Sequence, residues 1–93
     1  MRFTLYIAGD TARSRRAVVN FRRLADQRFS GRYELRVVDV QRQPERAEEE
    51  RILTTPTLVR EEPEPRRRVT GDLTDAEQVM VALALGGEEE DNG

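Results

Sequence analysis

The spacing between apolar residues changes twice early in the chain, and no other feature constrains the fold as much. Phe3, Leu5 and Ile7 alternate with Thr4, Tyr6 and Ala8, the period-two pattern of a strand with one buried face. Gly9–Asp10 closes that run, and Thr11 to Ser14 supply short polar side chains able to cap free backbone N–H groups. Ala17, Val18, Phe21, Leu24 and Ala25 then recur at helical spacing, with Arg15, Arg16, Arg22 and Arg23 on the other side. Ser30–Gly31 ends this helix, glycine being suited to a left-handed C-terminal position. Tyr33–Val37 returns to period two and runs into Val38–Asp39–Val40. Strand, helix, strand in that order predicts a parallel pair joined by a right-handed crossover.

The remainder predicts four shorter elements. Pro44 opens a helix reaching about Arg51, and Thr54–Val59 is a strand entered through Pro56. Glu61–Glu62–Pro63–Glu64–Pro65 reads as a turn or bend, because two of its residues lack a ladder donor. Arg67–Thr70 reads as a short edge strand closed by Gly71–Asp72. Thr74 with Glu77 three residues later has the form of a capping box for a last helix. The run from Val79 to Leu85 fits a strand or a helix by periodicity, and Ala82 and Ala84 tilt it to helix. The order is then β-α-β-α-β-β-α, with both β-α-β stretches read as parallel and the last strand pair as antiparallel. This is the thioredoxin-like arrangement, which also uses a Thr–Pro–Thr–Leu strand entry with a cis proline. The loop Gly9–Ser14 occupies the place where a thioredoxin carries its two cysteines, and here it has none. One domain over residues 1–87 is expected, followed by an acidic, disordered tail at 88–93.

Composition narrows the chemistry. The 93 residues include no cysteine, histidine or tryptophan, and all 16 basic residues are arginine. Disulfides, thiol redox chemistry and thiolate zinc sites are excluded, as are a histidine base and a Schiff-base lysine. Formal net charge is −2, but four of the 18 carboxylates lie in Glu88–Asp91, so the body is mildly basic. No apolar run approaches the roughly 18 residues of a membrane span, and no signal-peptide pattern opens the chain. A cytoplasmic protein without membrane contact is expected.

Each candidate site competes with a plainer explanation. Glu48–Glu50 and Asp39 are carboxylates, but consecutive glutamates on a short helix point in different directions and form a solvated face. Ser14 has no histidine or lysine to activate it, and Tyr6 and Tyr33 read as packing residues. No catalytic residue, metal site or cofactor is expected. The arginines of the first helix and the triplet Arg66–Arg67–Arg68 can bind phosphates or pair with acidic protein surfaces, and a merely solvated helix face is an equal alternative to protein recognition. Nucleic acid is disfavoured, since the body is only mildly basic and few aromatics interleave with the arginines.

Several stretches taken in order carry a family resemblance: Leu5–Gly9, the capped helix at Ser14, Tyr33–Val40, Pro44, Ala47–Glu49, Ile52–Leu58 and Gly71–Asp72–Leu73. Together, in register from about Phe3 to Leu85, they closely resemble the KaiB family of clock proteins. The resemblance implies a non-enzymatic regulator that binds the KaiC ATPase and, in cyanobacterial clocks, sequesters KaiA and competes with the KaiB-like domain of the kinase SasA. A histidine kinase is a further candidate partner. It also implies two folds: a KaiC-binding monomer that is thioredoxin-like, and a ground state, often tetrameric, ordered β-α-β-β-α-α-β. Pro56, Pro63, Pro65, Ala82 and Ala84 mark the half that rearranges.

Departures from the clock-type pattern set further expectations. Ala82 and Ala84 stand where clock-type members commonly have Gly and Asp, which favours the helical, thioredoxin-like state. The proline cluster is thinned, with Glu64 in place of its middle proline. Positions matching the family's binding surface are Arg16, Glu34, Arg36, Arg51, Arg60 and Arg67. Glu34 puts a charge where the clock-type pattern has Ala, so KaiA-type binding is disfavoured and KaiC-type binding is expected. The alternative is a thioredoxin-fold sensory or adaptor module in stress or histidine-kinase signalling, without a circadian role.

Overall fold

The computed structural model describes residues 1–83. Ala84, the end of the apolar run and the acidic stretch expected as a tail at 88–93 lie outside the described residues. The elements are β1 (Arg2–Ile7), α1 (Ala12–Phe29), β2 (Glu34–Asp39), α2 (Pro44–Glu50), β3 (Thr57–Glu62), β4 (Arg67–Thr70) and α3 (Ala76–Ala82). The sheet order is β2-β1-β3-β4, and the element order is the expected β-α-β-α-β-β-α.

The first unit forms as its periods predict. Thr11 caps α1 by accepting the Ser14 N–H at 3.1 Å, and Ser30 ends it in the left-handed region at φ 53°. Its buried side carries Ala17, Phe21, Leu24 and Ala25. These pack on Phe3 and Leu5 of β1, with Phe21 edge-on to Phe3 at 4.9 Å. Edge-to-face packing of this kind adds to the area term for burial. The other face of the sheet carries a smaller apolar cluster of Tyr6, Val38 and Val59, joined by Val40 and Ile52.

β1 and β2 pair in parallel, as expected, but the second β-α-β stretch does not. β3 runs antiparallel to β1 and lies on its far side from β2. β3 enters at the end of the sheet where β2 finished, with Thr57 paired to Tyr6 beside the Ile7–Asp39 pair, so it runs back along β1.

Two boundaries also move. The strand expected at Thr54–Val59 spans Thr57–Glu62, so Glu61 and Glu62 belong to it and the bend starts at Pro63. Pairing of Glu62 with Arg2 extends the ladder past the point where local propensity would end it. The capping box does not form. Asp72 Oδ1 accepts both the hydroxyl and the N–H of Thr74, so Asp75 caps α3 instead, accepting the Gln78 N–H at 3.2 Å. Val79–Ala82 is helical, as its alanine content suggested. The peptide bond before Pro56 is cis, as are those before Pro63 and Pro65. No helix among the described residues is long and apolar enough to cross a membrane.

Candidate partner-binding surface

The loop after β1 is built for shape. Asp39, at the end of β2, accepts the Gly9 N–H at 3.1 Å and the Gln41 N–H at 2.9 Å. Gly9 has φ +73°, which strains a residue with a side chain, and a Cβ there would also press on the flexible end of Gln41 at 3.0 Å, so glycine is favoured. Ser14 is buried in the α1 cap, where its hydroxyl accepts from Thr11 Oγ1 at 3.0 Å. That loop has no thiol, and its serine faces a threonine rather than a base. No group of three or more His, Cys, Asp or Glu side chains suited to a metal occurs among the described residues.

Charge is segregated by face. α1 carries six arginines against one aspartate, while α2, on the opposite side of the sheet, carries four glutamates against one arginine. Arg15, Arg16, Arg22 and Arg23 are all exposed. Arg15 pairs with Asp10 at 2.8 Å and Arg16 with Asp72 at 3.4 Å. The Thr74 hydroxyl, followed by Arg16, holds the Asp72 carboxyl below the ordinary aspartate range. Asn20 Nδ2 donates to the Asp72 carbonyl at 2.9 Å, fastening the same turn to α1. Exposed ion pairs of this kind exchange readily with a partner's charges, because each contributes only about 0–1 kcal/mol.

A cleft of about 560 Å³ opens on the α2 face of the sheet. Glu34 and Arg36 of β2 line it together with Arg2 and Thr4 of β1 and Arg46 of α2. Tyr6, two residues beyond Thr4 on the same face of β1, is fully buried. Its hydroxyl makes no hydrogen bond of acceptable geometry, although Arg46 lies near enough to favour the phenolate. Burial, then the charge of Glu50, outweighs that effect and pushes the phenol above its ordinary value.

The six positions singled out for partner contact do not form one patch. Glu34 and Arg36 share the α2 face, and Arg51 stands exposed in the left-handed cap that ends α2. Arg16 lies on α1, across the sheet. Arg67 is exposed on β4 directly opposite Arg60, so it leans to the α1 side with Val69. Arg60 differs from the rest. It is 4% exposed, and its guanidinium donates to the carbonyls of Leu83 and Pro65. In this arrangement it serves the fold rather than a surface.

The arginine triplet is split by the sheet. Arg66 reaches the α2 side, where it bridges Glu50 and Glu61, and Arg68 donates to the Glu50 and Arg51 carbonyls at 2.8 and 3.1 Å. Arg68 thereby closes the C-terminus of α2, a role missed in the sequence. Period-two alternation was the available signal, since it sends Arg67 to one face and its neighbours to the other. Of the residues expected to mark a rearranging half, Pro56 is buried, and its carbonyl accepts the Gly71 N–H at 2.9 Å. Pro63 and Pro65 are exposed at the β3–β4 bend, and Ala82 is the last residue of α3.

Comparison with known proteins places this geometry. A family model described as KaiB domain matches residues 4–85. The circadian clock oscillator protein KaiB of Prochlorococcus marinus (strain MIT 9312) is 48% identical over 81 residues, 87% of this chain and 77% of the relative. The protein of that name from Synechococcus sp. (strain RCC307) is 48% identical over 85 residues, 91% of this chain and 77% of the relative. Among solved structures, the N-terminal domain of Synechococcus elongatus SasA superposes with a TM-score of 0.77 at 25% identity, covering 99% of this chain and 87% of that domain. Thioredoxin 1 of Thermosipho africanus TCF52B superposes with a TM-score of 0.72 at 15% identity over 99% and 100% of the two chains, a likeness of fold alone.

Proposed function

The chain belongs to the KaiB family, and from that premise we propose that it is a non-catalytic, cytoplasmic regulator that binds a KaiC-type ATPase. Family membership supports a clock-related regulatory role. The observation that carries the finer reading is the arrangement of the second half of the chain. β3, β4 and α3 take the antiparallel pair and closing helix of a thioredoxin-like fold, as in the SasA N-terminal domain. For this family, the resemblance links that state with capture of the ATPase. The four-stranded sheet leaves α1 and α2 on opposite faces with opposite charge, and Arg16, Arg67, Glu34, Arg36 and Arg51 are the exposed contacts proposed.

The test is size-exclusion chromatography with light scattering, using purified chain with and without a KaiC-type ATPase loaded with ATP. A monomer alone and a co-eluting complex with the ATPase are expected. Failure to co-elute across a range of salt, with the chain folded, overturns the reading.

The SasA likeness favours one second reading, an adaptor acting on a histidine kinase without a circadian role. A chain that ignores the ATPase but alters autophosphorylation of such a kinase selects it.

A further inference from the structure

We infer that Arg60 is an internal latch that makes α3 and the β3–β4 bend one unit, held down or released together. Arg60 follows Leu58 by two residues on β3, at a position where alternation places an apolar side chain against the core. A guanidinium buried there is tolerated only with strong hydrogen-bond partners. It has two. Nη1 donates to the Leu83 carbonyl and Nη2 to the Pro65 carbonyl, each at 2.7 Å.

These acceptors belong to different elements. Leu83 is the C-terminal cap of α3, and Pro65 lies in the bend between β3 and β4. The carbonyls at a helix end have no partner within the helix, so the Leu83 carbonyl depends on an outside donor. The planar fork of arginine serves both acceptors at once, whereas the compact ammonium of lysine does not reproduce that geometry. α3 cannot lift away without stripping an acceptor from a buried cation, and the bend cannot open without doing the same.

The latch matters because α3 is weak alone. Seven residues are too few for a stable isolated helix, so packing of Val79, Met80 and Leu83 must hold it. Those residues share the main apolar cluster with Leu58 and Leu73. Release of the unit therefore uncovers the main apolar cluster beside Leu58 and Leu73.

The experiment compares Arg60→Met and Arg60→Lys with the parent by amide hydrogen exchange and backbone NMR relaxation. In R60M, exchange of the α3 amides accelerates about tenfold or more as the charged hydrogen bonds are lost. In the same variant the order parameters of Glu64 and Arg66 fall below about 0.6, while the β1–β2 amides keep their rates. R60K shows a smaller change in both segments. A response confined to one segment, a uniform acceleration that includes β1 and α1, or no change in either overturns the latch. If R60M does not fold, R60K alone decides, and loosening of one segment without the other overturns it.

Discussion

The Arg16 guanidinium meets the Asp72 carboxylate at 3.4 Å, joining the N-terminal part of α1 to the turn that leads into α3. Asp72 also accepts the Thr74 hydroxyl and N–H. One carboxylate thus sets the entry to α3 and neutralises an arginine of the proposed contact surface.

The first prediction concerns that carboxylate. Its pKa is lowered first by the Thr74 hydroxyl and then by Arg16. A depressed acid stabilises the fold above its ordinary pKa, and that contribution is lost as pH falls through the lowered value. An NMR pH titration should find Asp72 ionising below the ordinary aspartate range. Thr74→Ala should move the midpoint up more than Arg16→Ala does, and the reverse order would refute the assignment of causes.

Charge reversal tests the proposed contacts. Arg16→Glu and Arg67→Glu should each weaken binding to a KaiC-type ATPase about tenfold, with the loss shrinking as salt is raised. Calorimetry reads the affinity, and circular dichroism checks that each variant is folded. Unchanged affinity removes the residue from the surface.

Arg68 and Arg66 should differ although both reach α2. Arg68 fills two carbonyls at the C-terminus of α2, so Arg68→Ala should cost about 1 kcal/mol in urea unfolding, with little salt dependence. Arg66 makes partly exposed ion pairs, so Arg66→Ala should cost at most about 1 kcal/mol and less in high salt. Equal costs with equal salt dependence would refute the distinction.

Tyr6 makes a different test. Its hydroxyl is buried without a hydrogen bond of acceptable geometry, so Tyr6→Phe should leave stability unchanged within about 0.5 kcal/mol or raise it. In the parent chain, phenolate formation should be displaced above the ordinary tyrosine value, and Glu50→Gln should bring it down. Because a raised acid pKa favours the neutral form, that contribution persists through neutral pH and is lost only as pH rises through the folded value. A loss of several kcal/mol in Y6F would reveal a hydrogen bond for the hydroxyl.

Restoring the clock-type residues should shift the last element. Ala82→Gly with Ala84→Asp replaces the best helix former at both positions, and the glycine alone weakens the helix by at most about 1 kcal/mol. Carbon chemical shifts over 76–82 should be helical in the parent and weaker in the double variant. A strand pattern or a stable tetramer in the parent chain would overturn the proposed dominance of the thioredoxin-like state.

Much of the fold was legible because it is local. The periods of Phe3–Ile7, Ala17–Ala25 and Tyr33–Val37 report burial directly, and Thr11 and Ser30 mark the helix ends in the sequence. The errors share a different cause. Whether β3 runs parallel or antiparallel depends on the end of the sheet at which the chain re-enters, which the pairing of Thr57 with Tyr6 sets and local periodicity does not carry. The α3 cap moved because Asp72 competes for Thr74. Of the candidate site, the exposed placement of Arg16, Glu34, Arg36, Arg51 and Arg67 was legible, and their division between two faces was not.

By itself, the sequence determined the order of elements, the absence of thiol, imidazole and lysine chemistry, and an all-arginine basic set. Tertiary structure alone decided what each arginine does. Arg60 and Arg67 stand opposite each other on neighbouring strands, yet one is buried against the Leu83 and Pro65 carbonyls and the other is exposed. Their shared chemistry cannot distinguish them, because burial and hydrogen-bond supply come from residues brought together only by strand pairing and by the docking of α3.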